Sequence, residues 1–370
     1  MRQISPAKVL VYVAALFLAA CISPASAADQ EEQPLHPVGF RQIEFVDGAR
    51  HLALAMFYPS LAPDASATPF AMPFFTNLHL YKDAELAPGR YPLVMFSHGR
   101  GSNPLLYAWF AQTLAAHGYI VAGLYHYRAN TYDQTIAYLA NKLWQRPRDI
   151  SLAIDFLLKD PAWAKAIDAE QIGVAGHSQG GFTSLWIGGA KVDADKYLAF
   201  QKGWKSNQMV PAYLRDELPL DASPALDVRD PRIKAAFAMA PGIIKAFGMD
   251  AAGLAQMTIP AYITVGARDT QTPAEDNAAF AAKHIPNAEL VIIPGPLGSR
   301  NLRQRMRRRG PRRVPRGLHR CARRGSRRDP QIRRRGGGAQ IFQEGAGALI
   351  ACPKRRASAA PWRRPRRRAA

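Results

Sequence analysis

Cysteine is scarce in this chain of 370 residues and is absent from its long central part. The three cysteines are Cys21, Cys321 and Cys352, so residues 28–298 contain none. This distribution excludes a disulfide framework and a cysteine-based zinc site from the central part. A domain of this length buries enough apolar surface to be stable without cross-links, even when it is exported.

Long apolar runs are also missing. The run at residues 9–20 has 12 residues, too few to cross a bilayer. It follows basic residues and precedes the small residues Ala25–Ala27, so residues 1–27 are predicted to be a secretory signal peptide. Cleavage after Ala27, lipidation of Cys21 in a lipobox-like stretch, and a buried N-terminal helix are the alternatives. The protein is expected to be exported, as a periplasmic or secreted protein or a lipoprotein.

Most of the chain has almost no net charge, although the formal total is +21. Residues 299–370 carry 25 basic and 2 acidic side chains, whereas residues 1–298 carry 24 basic and 26 acidic ones. The body is therefore not predicted to bind nucleic acid. The basic tail is expected to bind anions without specificity.

Apolar strands alternate with helical patterns, which predicts a mostly parallel sheet with helices on both faces in a domain at 34–298. The predicted strands are a hairpin at 38–59 that turns at Asp47-Gly48, then 93–97, 119–125, 172–175, 233–240, 261–265 and 290–293. The predicted helices are 103–118, 149–159, 179–188 and 272–284, the last opened by a capping box at Thr272–Glu275. Residues 61–89 are expected to be loop-like, and about 191–225 to form an inserted helical cap.

The motif Gly176-His177-Ser178-Gln179-Gly180 has the form G-x-S-x-G and lies between a predicted strand and a predicted helix. That context is typical of a nucleophilic serine held on a sharp strand-to-helix turn. Ser178 is therefore the candidate nucleophile. A glycine-rich turn with an incidental serine is the alternative.

Two backbone N–H groups are candidates to bind an oxyanion, because acyl transfer develops negative charge on the carbonyl oxygen. One belongs to Gln179, directly after the serine. The other follows the strand at 93–97, where Arg100 is the first choice and Gly101 the second. A plain glycine turn is the alternative there, and His98 is interpreted as a structural histidine of the loop.

Asp269 lies just past the predicted strand at 261–265 and before a helix. An aspartate there can orient a catalytic histidine and stabilise its cation. The alternative is that Asp269 only closes the turn or caps the helix.

Four segments together resemble the predicted dienelactone hydrolase group of the α/β-hydrolases, which is related to the platelet-activating-factor acetylhydrolase-like esterases. They are "LVMFSHGRGSNP", "RPRDISLAIDFLL", "IGVAGHSQGGFTSLWIGGA" and "ITVGARDTQTP", spread over about 36–295. The resemblance implies an α/β-hydrolase fold and hydrolysis of a small-molecule ester without metal or organic cofactor. It also implies that Ser178 is the nucleophile, Asp269 the acid, and Arg100 and Gln179 the oxyanion donors.

A catalytic histidine is expected just after Pro294, and the sequence has none there. Past Asp269 only His284 and His319 remain, and neither is predicted to be the base. Residues 299–370 are interpreted as the product of a shifted reading frame, since codons can be chosen for 299–307 that give His-Glu-Ile-Phe when read one base later. A genuine disordered basic tail is the alternative. The chain is expected to be a crippled serine esterase, and a non-catalytic ligand-binding protein on a hydrolase fold is the second hypothesis.

Overall fold

A computed structural model describes residues 35–295, except 63–67, 73–74, 138, 140–141, 207, 209–211 and 213–225. These residues form a ten-stranded sheet in the order β10-β9-β8-β7-β5-β6-β2-β1-β4-β3. The predicted signal peptide and the basic tail at 299–370 lie outside the described residues. No helix in the described part is long and apolar enough to span a membrane.

The predicted N-terminal hairpin is confirmed. Strands β1 (Val38–Asp47) and β2 (Arg50–Pro59) pair antiparallel, with Asp47 opposite Arg50 across the turn. Gly48 has φ of 57°, a conformation that glycine adopts without strain. The prediction of a loop over 61–89 was wrong, because β3 (Pro69–Met72) and β4 (Phe75–Lys82) lie there and extend the sheet beyond β1.

The alternating part of the chain forms the parallel half of the sheet, as predicted. Its strands run in one direction, each hydrogen-bonded to its neighbours, and are β5 (Tyr91–Ser97), β6 (Ile120–Tyr125), β7 (Ile167–His177), β8 (Ile233–Met239), β9 (Ala261–Gly266) and β10 (Ala288–Ile293). Strand β5 lies between β6 and β7, so the strand order reverses there. In open α/β sheets, ligands bind at the carboxyl ends of the strands beside such a reversal.

Apolar side chains from alternate positions of the strands build a core on each face of the sheet. In β5, Leu93 and Met95 belong to one cluster, whereas Val94 and Phe96 belong to the other. The helices that cover the sheet are α1 (Ala108–Ala116), α2 (Gln145–Lys159), α3 (Trp163–Ala166), α4 (Gln179–Ile187), α5 (Ala194–Lys205), α6 (Ala251–Leu254) and α7 (Ala278–His284). The predicted fold class, an α/β domain covered on both faces, is confirmed.

The helix predicted at 149–159 begins earlier, at Gln145, and two other predicted helices each break into two pieces. The helix at 103–118 is a 3₁₀ turn, Pro104–Tyr107, followed by α1, and Asn103 caps it as predicted by accepting from the N–H of Leu105. The helix at 272–284 breaks into a 3₁₀ turn, Ala274–Asp276, and α7. The capping box at Thr272–Glu275 is wrong, because the N-cap of the 3₁₀ turn is Pro273 and no side chain caps it.

Only the start of the predicted inserted cap is described. Helix α5 occupies 194–205, and most of the remainder lies outside the described residues. The assignment of 191–225 as a cap stays a prediction.

Candidate active site

Ser178 occupies a strained turn between β7 and α4. Its φ of 55° and ψ of −118° lie in a region that residues with a side chain rarely adopt. The backbone around it is hydrogen-bonded on both sides, with the Ser178 N–H donating to the carbonyl of Met239 at 2.9 Å and the N–H of Phe182 to the carbonyl of Ser178 at 3.1 Å. The turn therefore holds the hydroxyl at the carboxyl edge of the sheet, as the G-x-S-x-G motif predicts.

The two glycines of the motif are required by close backbone contacts. A Cβ on Gly176 would lie 2.2 Å from the carbonyl oxygen of Gly180, and a Cβ on Gly180 would lie 1.9 Å from the carbonyl oxygen of Ser97. The serine turn thus packs directly against the end of β5. That end leads into the loop predicted to supply the second oxyanion donor.

The loop after β8 is also strained where it meets Ser178. Five described non-glycine residues have positive φ, and Ser178, Ala240 and Ile243 are three of them. A left-handed conformation is especially unfavourable for a β-branched isoleucine. The N–H of Gly242 donates to the carbonyl of Ser178 at 3.1 Å, which ties this loop to the serine turn. Such clustering of strain is typical of functional sites.

Asp269 follows β9 at the same edge of the sheet and is buried, 7% exposed. Its Oδ1 accepts from the N–H groups of Gln271 and Thr272, at 2.9 and 3.0 Å, so the aspartate does close the turn. Its Oδ2 is buried and has no hydrogen-bond partner among the described residues. Because buried polar atoms are rarely left unpaired, Oδ2 can accept a further hydrogen bond.

The structure brings the serine turn and the aspartate turn together. A Cβ on Gly242 would lie 3.5 Å from the Ser178 hydroxyl oxygen and 3.2 Å from the side-chain methyl carbon of Thr272. Strands β7, β8 and β9 are adjacent and parallel, so the residues that follow them share one edge.

The loop predicted to hold the second oxyanion donor is a hydrogen-bonded turn at the end of β5. The carbonyl of Gly99 accepts from the N–H of Ser102 at 3.2 Å and from Nδ1 of His98 at 2.7 Å. Gly101 has φ of 59°, which completes the turn. His98 is fully buried and bonded within the loop, in agreement with its interpretation as a structural histidine.

A buried polar network behind this loop was not found from the sequence. Ser97 Oγ lies 2.8 Å from Nε2 of His126, and Nδ1 of His126 lies 3.2 Å from Oδ2 of Asp149. Arg50 pairs with the other oxygen of Asp149. Arg146, 3% exposed, donates to Ser97 and to the carbonyl of His98. The only sequence signal was that Arg146 and Asp149 both belong to the segment "RPRD".

The charge states in this network follow from burial. Burial, followed by the positive charges of Arg146 and Arg50, holds the pKa of His126 well below 6.5, so the imidazole is neutral. Burial raises the pKa of Asp149 to about 6, although Arg50 opposes the shift. Burial lowers the pKa of Arg146 to about 9, which leaves the guanidinium charged at neutral pH.

Two further described histidines, His177 and His284, lie in the segments around Ser178 and Asp269. His177 contacts the hydroxyl of Tyr107 through Nδ1, at 2.9 Å. His284 ends α7 just before β10 begins, at the amino edge of the sheet and therefore opposite Ser178. His319 and the residues directly after Gly295 lie outside the described residues. Within the described residues, no group of three or more His, Cys, Asp or Glu side chains could hold a metal ion.

A family model described as "Platelet-activating factor acetylhydrolase, isoform II" matches residues 67–142. This segment contains β5, β6 and the loop after β5 that is predicted to hold an oxyanion donor. Over this segment the chain is similar to the platelet-activating factor acetylhydrolases. Relatives of that name from Canis lupus familiaris and Bos taurus are each 30% identical, over aligned stretches of 139 and 147 residues. These cover 26% and 28% of this chain and 31% and 33% of the relatives, so the chain spans about a third of the length of the curated relatives it matches.

Solved structures give more distant matches to this chain. A ferulic acid esterase from Streptomyces cinnamoneus is 20% identical with a TM-score of 0.45, covering 71% of this chain and 74% of that one. A dienelactone hydrolase from Anabaena variabilis is 16% identical with a TM-score of 0.42, covering 70% of this chain and 87% of that one.

Proposed function

We propose that this chain is an α/β-hydrolase, which cleaves carboxylic esters through an acyl-enzyme on Ser178. The observation that carries the proposal is the strained serine turn, which holds a hydroxyl at the positive end of α4 and beside the Asp269 turn. The sequence relation to platelet-activating factor acetylhydrolases supports an ester as the substrate. Short-acyl or lipid-like small-molecule esters are the proposed class.

In the first step the Ser178 hydroxyl oxygen attacks the ester carbonyl carbon while its proton passes to a base. The carbonyl oxygen becomes an oxyanion, which the N–H groups of Gln179 and Arg100 stabilise. Collapse of this intermediate expels the alcohol, which takes up the proton, and leaves an acyl group on Ser178. Water then attacks the acyl carbon in the same way and releases the acid.

Asp269 is proposed to orient the base and stabilise its cation through Oδ2, the oxygen that its own turn does not use. The base is the missing part, since the sequence has no histidine just after Pro294. A serine hydroxyl without a base stays protonated at neutral pH and is a weak nucleophile. We therefore propose low activity for this chain, lower by about 10⁴- to 10⁶-fold than that of a triad enzyme.

The test compares hydrolysis of p-nitrophenyl acetate by the full chain and by Ser178→Ala. Ser151→Ala is the matched control, because Ser151 donates to Asp230 near the start of β8, at the opposite edge of the sheet. We expect Ser178→Ala alone to lose the activity above background. Equal rates in the full chain and Ser178→Ala would remove Ser178 from the mechanism and favour the non-catalytic binding protein.

A further inference from the structure

Arg146 is hydrogen-bonded directly to the loop that contains Arg100 and, through the Thr183 hydroxyl, to the start of α4. One guanidinium nitrogen donates to the Ser97 hydroxyl at 3.1 Å and to the carbonyl of His98, at the start of the loop that contains Arg100. The Nε donates to the hydroxyl of Thr183 at 3.3 Å. That hydroxyl in turn donates to the carbonyl of Gln179 at 2.9 Å, in the first turn of α4. A single buried side chain thus joins the end of β5 to the start of α4.

The direction of the Arg100 N–H is coupled to this network through the peptide group it shares with Gly99. The peptide is planar and trans, so the N–H of Arg100 points opposite to the carbonyl of Gly99. Any hydrogen bond that holds the Gly99 carbonyl therefore also aims the Arg100 N–H. The carbonyl is held by Nδ1 of His98 and by the N–H of Ser102.

The hydrogen bonds fix the tautomers of both buried histidines. His98 donates from Nδ1 to the Gly99 carbonyl, so its Nε2 is the acceptor for the N–H of His126, at 3.5 Å. Neutral His126 donates from Nδ1 to Asp149, so its Nε2 accepts from the Ser97 hydroxyl. The Ser97 hydroxyl oxygen keeps its lone pairs, so it accepts a hydrogen bond from Arg146. The donors and acceptors are consistent from Asp149 to the oxyanion loop.

The shape of the network requires an arginine. The planar guanidinium presents donors in several fixed directions, whereas a lysine ammonium is a compact point charge on a flexible chain. A lysine at 146 would keep the positive charge, but it could not reach the His98 carbonyl, Ser97 and Thr183 together. Complete burial of Ser97, His126 and Asp149, all 0–1% exposed, keeps these groups from touching a substrate.

We propose that Arg146 is a positioning residue, which holds the His98–Ser102 loop and the start of α4 in the arrangement that aims both oxyanion donors at the substrate. This inference rests on the proposed esterase function for its catalytic consequence. Its structural consequence, a loop fixed by one side chain, can be tested without any turnover.

The structural test is hydrogen–deuterium exchange of the full chain and of Arg146→Met, with Arg232→Met as the matched control. Arg232 makes a comparable set of hydrogen bonds, to Asp230, Asp155 and Ser151, but lies at the amino edge of the sheet. We expect Arg146→Met to accelerate exchange of the bonded N–H groups of Gly99, Ser102 and Leu105, and to leave β8 unchanged. Arg232→Met should leave those three N–H groups protected.

Equal acceleration throughout the sheet in Arg146→Met, or unchanged exchange in the loop, would overturn the proposal and leave Arg146 a merely stabilising residue. Arg146→Lys and Ser97→Ala keep the test decisive where Arg146→Met does not fold. Both should accelerate exchange in the same loop, and protection equal to that of the unchanged chain in both would contradict the proposal.

The kinetic test separates positioning from binding. Loss of one oxyanion donor lowers kcat by about 10²- to 10³-fold, so a misaimed donor should lower kcat for p-nitrophenyl acetate at least about tenfold. KM should stay within about threefold, and Arg146→Lys should not restore kcat. A rise in KM with unchanged kcat would contradict positioning. If the unchanged chain shows no Ser178-dependent turnover, the proposed function fails, while the exchange experiment still decides the role of Arg146.

Discussion

At the scale of single residues, the site depends on positions where the backbone could not accept another side chain. Ser178 has φ of 55°, and the glycines on either side of it lie against backbone atoms rather than flexible side chains. Backbone strain of this kind persists only where the surroundings enforce it. The sequence revealed this turn because glycine and serine are required at fixed spacing.

Replacement of Gly180 by alanine should distort the serine turn. Its Cβ would lie 1.9 Å from the Ser97 carbonyl oxygen, so β5 or α4 must move, and overpacking of this kind costs about 1–3 kcal/mol. Gly203→Ala in α5 is the control, because nothing lies within 4 Å of its Cβ and alanine favours a helix by about 1 kcal/mol. Urea denaturation should show a loss of stability for Gly180→Ala alone, and an unchanged midpoint would contradict the close contact.

Added imidazole should act as the base that the proposed mechanism requires. Free imidazole can take the Ser178 proton if it reaches the space beside Asp269 Oδ2, so ester hydrolysis should rise with imidazole and then saturate. The rate with Ser178→Ala gives the background hydrolysis that imidazole catalyses in solution. The same linear increase in both proteins would show that Ser178 gains nothing from a base.

At the scale of elements, the regular alternation of strands and helices was predictable, and the irregular parts were not. Parallel strands such as β5 and β6 are nearly continuous apolar runs, because both of their faces are buried. Strands β3 and β4 lie at the edge of the sheet, in a segment rich in proline and aromatics that lacks clear alternation. Their pairing with each other and with β1 decides their structure, and local sequence does not contain that information.

The candidate site was predictable to a similar extent. Ser178 and Asp269 follow strands that the sequence indicates, so their common edge could be predicted. The network of Ser97, His126 and Asp149 could not, because its members come from three separated elements and share no motif. Only the fold brings them within hydrogen-bond distance.

His126, directly after β6, bonds to Asp149 of α2, and its burial should make stability depend on pH. Its pKa is lowered in the folded chain, so between that value and about 6.5 the unfolded chain binds more protons. Stability is therefore fully present above about pH 6.5 and is lost as the pH falls. The melting temperature should drop more between about pH 7.5 and about pH 6 in the unchanged chain than in His126→Gln.

The control for this prediction is His117→Gln, because His117 is exposed and its ring bonds to the backbone carbonyl of Thr113 in the preceding helix. It should keep the full pH dependence of the unchanged chain. An equal drop in the unchanged chain and in His126→Gln would show that His126 does not titrate on unfolding in this range.

At the scale of the whole molecule, charge separates the body of the chain from the rest of the sequence. The body to residue 298 has slightly more acidic than basic residues, whereas 299–370 is strongly basic. We propose that nucleotide sequencing around codon 298 reveals a one-base change that restores a histidine and an apolar end. A gene in which no single-base change does so would support a genuine basic tail.

Heparin affinity tests the charge distribution. The full chain should be retained at low salt and released as salt rises, because retention rests on many Lys and Arg contacts. A chain that ends at Gly298 should not be retained. Retention of the shortened chain would contradict the assignment of the basic character to 299–370.

The most direct test of the account is covalent reaction with a fluorophosphonate, followed by mass spectrometry of the digested protein. A phosphonate bonds to a serine oxygen that is held and stabilised as a nucleophile, so the label should lie on the peptide that contains Ser178. We predict slow labelling of that peptide in the full chain, faster labelling with imidazole, and none in Ser178→Ala. Ester hydrolysis above background with no label on Ser178 would contradict the central claim.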